Sequence, residues 1–163
     1  MTAKCSSCGA NVSSRDDICS YCGSDNPNYS PPDNEVNILL EKAMDAYQQE
    51  HYAVAIDCYN QAIALDPEVF STYFYLAAAL TIIGRHEEAI KAMEKAQALR
   101  PGNTAVHYNL GVLSKKIGRK AEARTYLEKA LELVKRDSAV QDQSQLRKSI
   151  EKELAEFKRW KLF

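Results

Sequence analysis

The chain has 163 residues, 45% hydrophobic and 26% charged, with a formal net charge of −1. That is enough apolar material for a folded core, and the charge balance argues against a protein that works by coating nucleic acid or anionic membrane. No run reaches the roughly 18–20 apolar residues that span a bilayer, and the opening MTAKCSSCGA does not read as a signal peptide, so a cytoplasmic address is expected. The charge is uneven: residues 33–68 hold eight acidic side chains against Lys42 alone, whereas residues 144–163 hold six basic against three acidic.

Four of the five cysteines stand near the start, as Cys5-Ser-Ser-Cys8-Gly and Cys19-Ser-Tyr-Cys22-Gly. Each C-x-x-C pair can wrap one edge of a metal ion, and the ten residues between the pairs return the chain to complete a tetrahedron of thiolates. Gly9 and Gly23 follow the second cysteine of each pair, where the turn toward sulfur favours positive φ. Val12, Ile18 and Tyr21 are the only large apolar residues of residues 3–24, too few for a core, so the metal must supply the folding free energy. A redox C-x-x-C would open a helix after a strand, and disulfides are unusual in a cytoplasmic chain. The segment resembles a zinc ribbon built of two zinc knuckles. The resemblance and the spacing together imply one structural Zn2+ on Cys5, Cys8, Cys19 and Cys22, a closed site with no position left for a catalytic water. The arm between the knuckles carries Arg15 but also Asp16 and Asp17, which disfavours phosphate. Cys58, far along the chain, is expected as a packed thiol.

Residues 25–35 are rich in proline, serine, asparagine and aspartate, and read as a flexible linker. From residue 36 the chain repeats at a step of 34: Ala43, Ala77 and Gly111; Ala55, Ala89 and Ala123; Tyr59, Met93 and Leu127; Ala62, Ala96 and Ala130. Glu50, Gly84 and Gly118 share a register, and Pro67 and Pro101 close the first two units. Small residues recur where two helices cross closely and larger ones where the gap is plugged, so each unit is a helical hairpin that must stack on the next. These residues look like three tetratricopeptide repeats, at 36–69, 70–103 and 104–137. The fold expected is therefore all-α: a three-repeat solenoid over residues 36–143, preceded by the small ribbon. Lys135 stands where the third closing proline belongs, so the last repeat helix should run on. The apolar stretch 70–83 reads as the buried first helix of the middle unit. Residues 144–163 keep a helical stripe of Leu146, Ile150, Leu154, Phe157 and Trp160, expected to cap the last hairpin. The terminal Trp160, Leu162 and Phe163 suit a cap, a recognition tail or a dimer contact equally.

The resemblance implies a concave groove, lined by the first helix of each repeat, that receives a peptide or a partner's helix. The matching positions are Leu40, Met44 and Tyr47, then Phe74, Tyr75, Ala78 and Ile82, then Tyr108, Asn109 and Val112. Relatives that hold acidic chaperone C-termini use Lys, Asn and Arg side chains there; here those positions are Leu40, Met44, Tyr75, Ala105 and Asn109, so an apolar insert is expected instead. No Gly-rich phosphate loop, H-E-x-x-H or nucleophile elbow is present, and His51, His86 and His107 read as surface or packing residues. The sequence thus points to a non-catalytic interaction adaptor with a protein partner and a structural zinc. Two competing readings are a nucleic-acid-associated adaptor using the ribbon and the basic second half, and a redox-responsive zinc switch.

Overall fold

A computed structural model describes residues 2–19, 21–31, 33–136 and 143–159. A short antiparallel hairpin opens the chain, β1 (Thr2–Lys4) with β2 (Asn11–Ser13), pairing Ala3 with Val12. Among the described residues seven helices follow: α1 (Asn34–Gln48), α2 (Tyr52–Leu65), α3 (Phe70–Ile82), α4 (His86–Leu99), α5 (Thr104–Lys116), α6 (Lys120–Arg136) and α7 (Gln143–Arg159). Helices α1 to α6 pair as three hairpins in the expected register. α6 extends three residues beyond its counterparts because no proline stops it. No helix among the described residues is long and apolar enough to cross a membrane.

The recurring positions are the packed ones. Ala43, Ala55, Ala62, Ala77, Ala89, Ala96, Ala123 and Ala130 are all 0% exposed, and the large side chains Tyr59, Met93 and Leu127 are buried with them. In the third hairpin the partner of Leu127 is Gly111: a Cβ there would lie 2.6 Å from Leu127 Cγ, so only glycine admits that side chain. The hairpin turns are alike. Glu50, Gly84 and Gly118 have φ of +62°, +80° and +82°, and each N–H bonds three residues back, to Tyr47, Thr81 and Lys115. The next residue's N–H reaches five back, to Ala46, Leu80 and Ser114. This is the left-handed helix stop that satisfies the last carbonyls.

The chain forms two compact units, one ending at Pro101 and the other beginning at Gly102. The first holds the ribbon together with the first two repeats. Within it Asn26, Ser30 and Pro31, in the stretch 25–35 expected to be a linker, hydrogen-bond to the ribbon's arm. Asn26 is buried, its N–H bonded to Asp17 O and its Nδ2 to Asp16 O, both at 2.8 Å. Ser30 N–H bonds to Ser14 O at 2.7 Å, and Arg15 Nη1 donates to the carbonyls of Ser30 and Pro31 at 2.8 and 3.0 Å. The polar residues that suggested solvation are the ones that satisfy the arm's backbone. In the second unit α7 lays Leu146, Ile150 and Leu154 against Ala130 and Val134 of α6, and Ile150 is 0% exposed. Trp160, Leu162 and Phe163 lie outside the described residues.

Candidate metal centre and partner-binding surface

The two knuckles are built alike. Gly9 N–H bonds to Cys5 O at 2.9 Å and Gly23 N–H to Cys19 O at 2.8 Å, with φ of +73° and +71° at the two glycines. Cys5 N–H closes on Ala10 O, and Cys19 N–H on Ser24 O, each at 2.8 Å. The β1–β2 hairpin presents the first knuckle, and a bridge between Ile18 and Asp25 presents the second. Val12 packs between Cys5 and Cys19, all three buried, with Ala10 against them.

The four sulfurs lie within 4.8 Å of one another, Cys5 Sγ 3.6 Å from Cys22 Sγ and Cys8 Sγ 3.7 Å from Cys19 Sγ. Thiolates about 2.3 Å from a tetrahedral ion stand about 3.8 Å apart, whereas a disulfide needs about 2.05 Å. The donor set therefore fits a closed four-thiolate site and not a pair of disulfides. Ser24, which neither C-x-x-C motif includes, completes it: its hydroxyl is 3.2 Å from both Cys5 Sγ and Cys22 Sγ. That hydroxyl, followed by the backbone N–H groups of Cys8 and Ser7, holds the Cys5 thiol down to about 5. Ser24 also lowers Cys22, while burial pushes Cys19 up. Hydrogen bonds to sulfur favour the thiolate, the form that binds metal. The only trace of this role in the sequence is a hydroxyl two residues past the last cysteine, where the first knuckle has Ala10. No other group of His, Cys, Asp or Glu among the described residues is gathered to hold an ion; Cys58 is half-buried in α2, and His107 is buried beside Tyr126.

The expected groove residues divide between the two units. In the first, Leu40, Met44 and Tyr47 of α1 are half-buried; Leu40 packs on the cluster of Val36, Ala62 and Val69, and Tyr47 meets Tyr52 edge-on at 5.5 Å. On α3, Phe74 and Ala78 are half-buried while Tyr75 and Ile82 are 36% and 50% exposed. Phe74 lies between Phe70 and Tyr75, 5.6 Å from each, and Tyr75 stacks on the fully buried Tyr59 at 6.4 Å. In the second unit, Asn109 and Val112 are half-buried. Tyr108 packs against the cluster of Ala130, Val134 and Ile150, because α7 lies over it. Lys115, at the end of α5, is clamped by Glu153 at 2.7 Å and by Glu156 of α7.

Models described as tetratricopeptide repeat match residues 40–104 and 83–143, and a zinc-ribbon domain model matches residues 2–26. The chain is similar to the human small glutamine-rich tetratricopeptide repeat-containing protein beta, 41% identical over 56 residues. That match covers 34% of this chain and 18% of the relative, so the chain spans under a fifth of the protein it matches. Among solved structures, the Yersinia enterocolitica type III secretion chaperone SycD in complex with a peptide of the translocator YopD superposes with a TM-score of 0.73. It is 19% identical and covers 79% of this chain and 96% of its own. The first TPR of Spaghetti (RPAP3) bound to the HSP90 peptide SRMEEVD gives 0.62 at 24% identity, covering 76% and 97%. At these identities the likeness is one of fold. Repeat register, knuckle geometry and family matches agree: the chain contains tetratricopeptide repeats, matched over residues 40–104 and 83–143, and an N-terminal zinc-ribbon domain, matched over residues 2–26.

Proposed function

We propose that this is a non-catalytic adaptor that holds an apolar segment of a partner protein against its repeats, with one structural Zn2+ on Cys5, Cys8, Cys19 and Cys22. The observation that carries the partner site is on α3. This apolar helix, flanked by α2 and α4, still leaves Tyr75 and Ile82 open to solvent beside Phe74 and Ala78. Aromatic and aliphatic side chains on a rigid helix are what a bound peptide's apolar side chains need. SycD with its YopD peptide and the RPAP3 repeat with its HSP90 peptide support a peptide as the class of ligand. The acidic chaperone tail is disfavoured here, because Leu40, Met44 and Tyr75 stand where basic and amide clamps would be needed. Reduced thiolate ligands suit the cytoplasm. The nucleic-acid reading loses the one cation of the arm between the knuckles, since Arg15 is ion-paired with Asp66 at 2.7 Å.

The test is selection of a displayed random-peptide library on the full chain, followed by fluorescence anisotropy with the enriched peptides. The variant is Tyr75→Ala/Ile82→Ala, which removes exposed groups and leaves Tyr108 in its packed place. Apolar-rich peptides that lose at least tenfold in affinity to this variant support the site. Peptides that bind both proteins equally, or no enrichment at all, remove it.

A further inference from the structure

The ribbon meets the first two repeats through a charge pattern set up by the 34-residue period itself. Asp66 and Arg100 hold the same register position in consecutive repeats, each just past the second helix of its hairpin and just before a proline. They carry opposite charges. The ribbon's arm offers opposite charges on adjacent residues: Arg15 Nε is 2.7 Å from Asp66 Oδ2, and Asp16 Oδ1 accepts from Arg100 Nε at 2.6 Å. In the third repeat that position is Val134, buried within α6, so the pattern is not offered again.

The contact is built into both sides. Asp16 is 1% exposed, and its backbone carbonyl is held by Asn26. Arg100 lies 4.4 Å over the ring of Phe70, the first residue of α3. Arg15 also gathers Ser30 and Pro31. The arm's own fold is precarious: among the described residues the ribbon's apolar core is Cys5, Val12 and Cys19 with Ala10 against them, and two of those are among the four metal ligands. A segment with so small a core keeps its shape only while the thiolates are gathered.

Resting on the reading of the four cysteines as a metal site, we infer that the metal-loaded ribbon is a clasp joining the ends of α2 and α4. Metal binding and the stability of the first two repeats are thereby coupled, and loss of the metal frees Arg15, Asp16, Asp66 and Arg100 together. By linkage the coupling is reciprocal: whatever docking adds to the repeats, it adds equally to the affinity for the ion.

The experiment titrates Zn2+ on the full chain against a chromophoric chelator, for the wild type and for Asp66→Asn/Arg100→Gln, which alters neither the cysteines nor the arm. Coupling requires the variant to hold zinc about tenfold more weakly, the scale of one net charge-assisted hydrogen bond. It also requires excess chelator to lower the helical melting midpoint of the wild type more than that of the variant. Equal zinc affinity in the two proteins overturns the clasp and leaves the metal site standing. A wild type that takes up no zinc overturns the metal site and the clasp with it. Should the repeat-side variant lose helix even with zinc present, Arg15→Gln/Asp16→Asn, which leaves the repeats intact, makes the same comparison. A tenfold loss there supports the clasp and an unchanged affinity overturns it.

Discussion

Glu50 is the only described non-glycine residue with a positive φ, +62°, and it closes the first hairpin where Gly84 and Gly118 close the others. A left-handed conformation costs an L-residue about 1–2 kcal/mol. Glycine avoids that strain but loses about 0.5–1 kcal/mol through the extra freedom of its unfolded chain. Glu50→Gly should therefore stabilise the first unit by about 0.5–1 kcal/mol, a rise of about 3–6 °C in melting midpoint for a unit of this size. The reverse changes are clean controls, because a Cβ on Gly84 or Gly118 would meet nothing within 4 Å. Gly84→Ala and Gly118→Ala should each cost about 1 kcal/mol from backbone strain alone. Urea unfolding followed by circular dichroism at 222 nm measures all three. A Glu50→Gly variant that unfolds at lower urea than the wild type would refute the argument, since it would mean that the Glu50 side chain contributes more than its backbone costs.

Three further outcomes follow from particular contacts. Gly111→Val should destabilise the second unit by about 1–3 kcal/mol, because its Cβ would press on Leu127, 2.6 Å away and fully buried; a double variant with Leu127→Ala should recover part of the loss, and strict additivity would count against the close crossing. Lys115→Met should cost about 0.5–1 kcal/mol at low salt, the worth of a partly exposed ion pair with Glu153 and Glu156. Bonding to Glu153, then Glu156, raises the Lys115 pKa, so this contribution is fully present below the ordinary lysine value and lost as pH rises through the raised one; the wild-type advantage should hold from neutral pH into the lysine range and shrink only above it. Ser24→Ala removes the hydroxyl 3.2 Å from two sulfurs and should weaken zinc retention about tenfold in chelator competition while leaving helical content unchanged; unaltered retention would show that Ser24 does not tune the thiolates.

Local chemistry made much of this protein legible from its residues in order. The knuckles follow from C-x-x-C-G because both cysteines and the turning glycine lie within five residues. The helical hairpins follow from a 34-residue period because each pair of helices is joined by a short turn, so the positions that must be small or large recur at fixed intervals. The extension of α6 could be read from a missing proline. What the order of residues did not show is how the ribbon is attached. Asp16 and Arg100 are 84 residues apart, and a pairing at that distance leaves no periodic trace. Asn26 and Ser30 looked like solvated linker because composition counts polar groups without saying which backbone atoms they satisfy. Tyr108 carried the pattern of a groove residue, yet α7 packs over it; a helical stripe shows that α7 buries a face, but only the folded chain shows what lies beneath. Ser24 has the same origin, a hydroxyl made relevant by sulfurs from both knuckles converging on it. Sequence determines what repeats or lies close along the chain, whereas contacts between distant, non-repeating residues are decided when the elements pack.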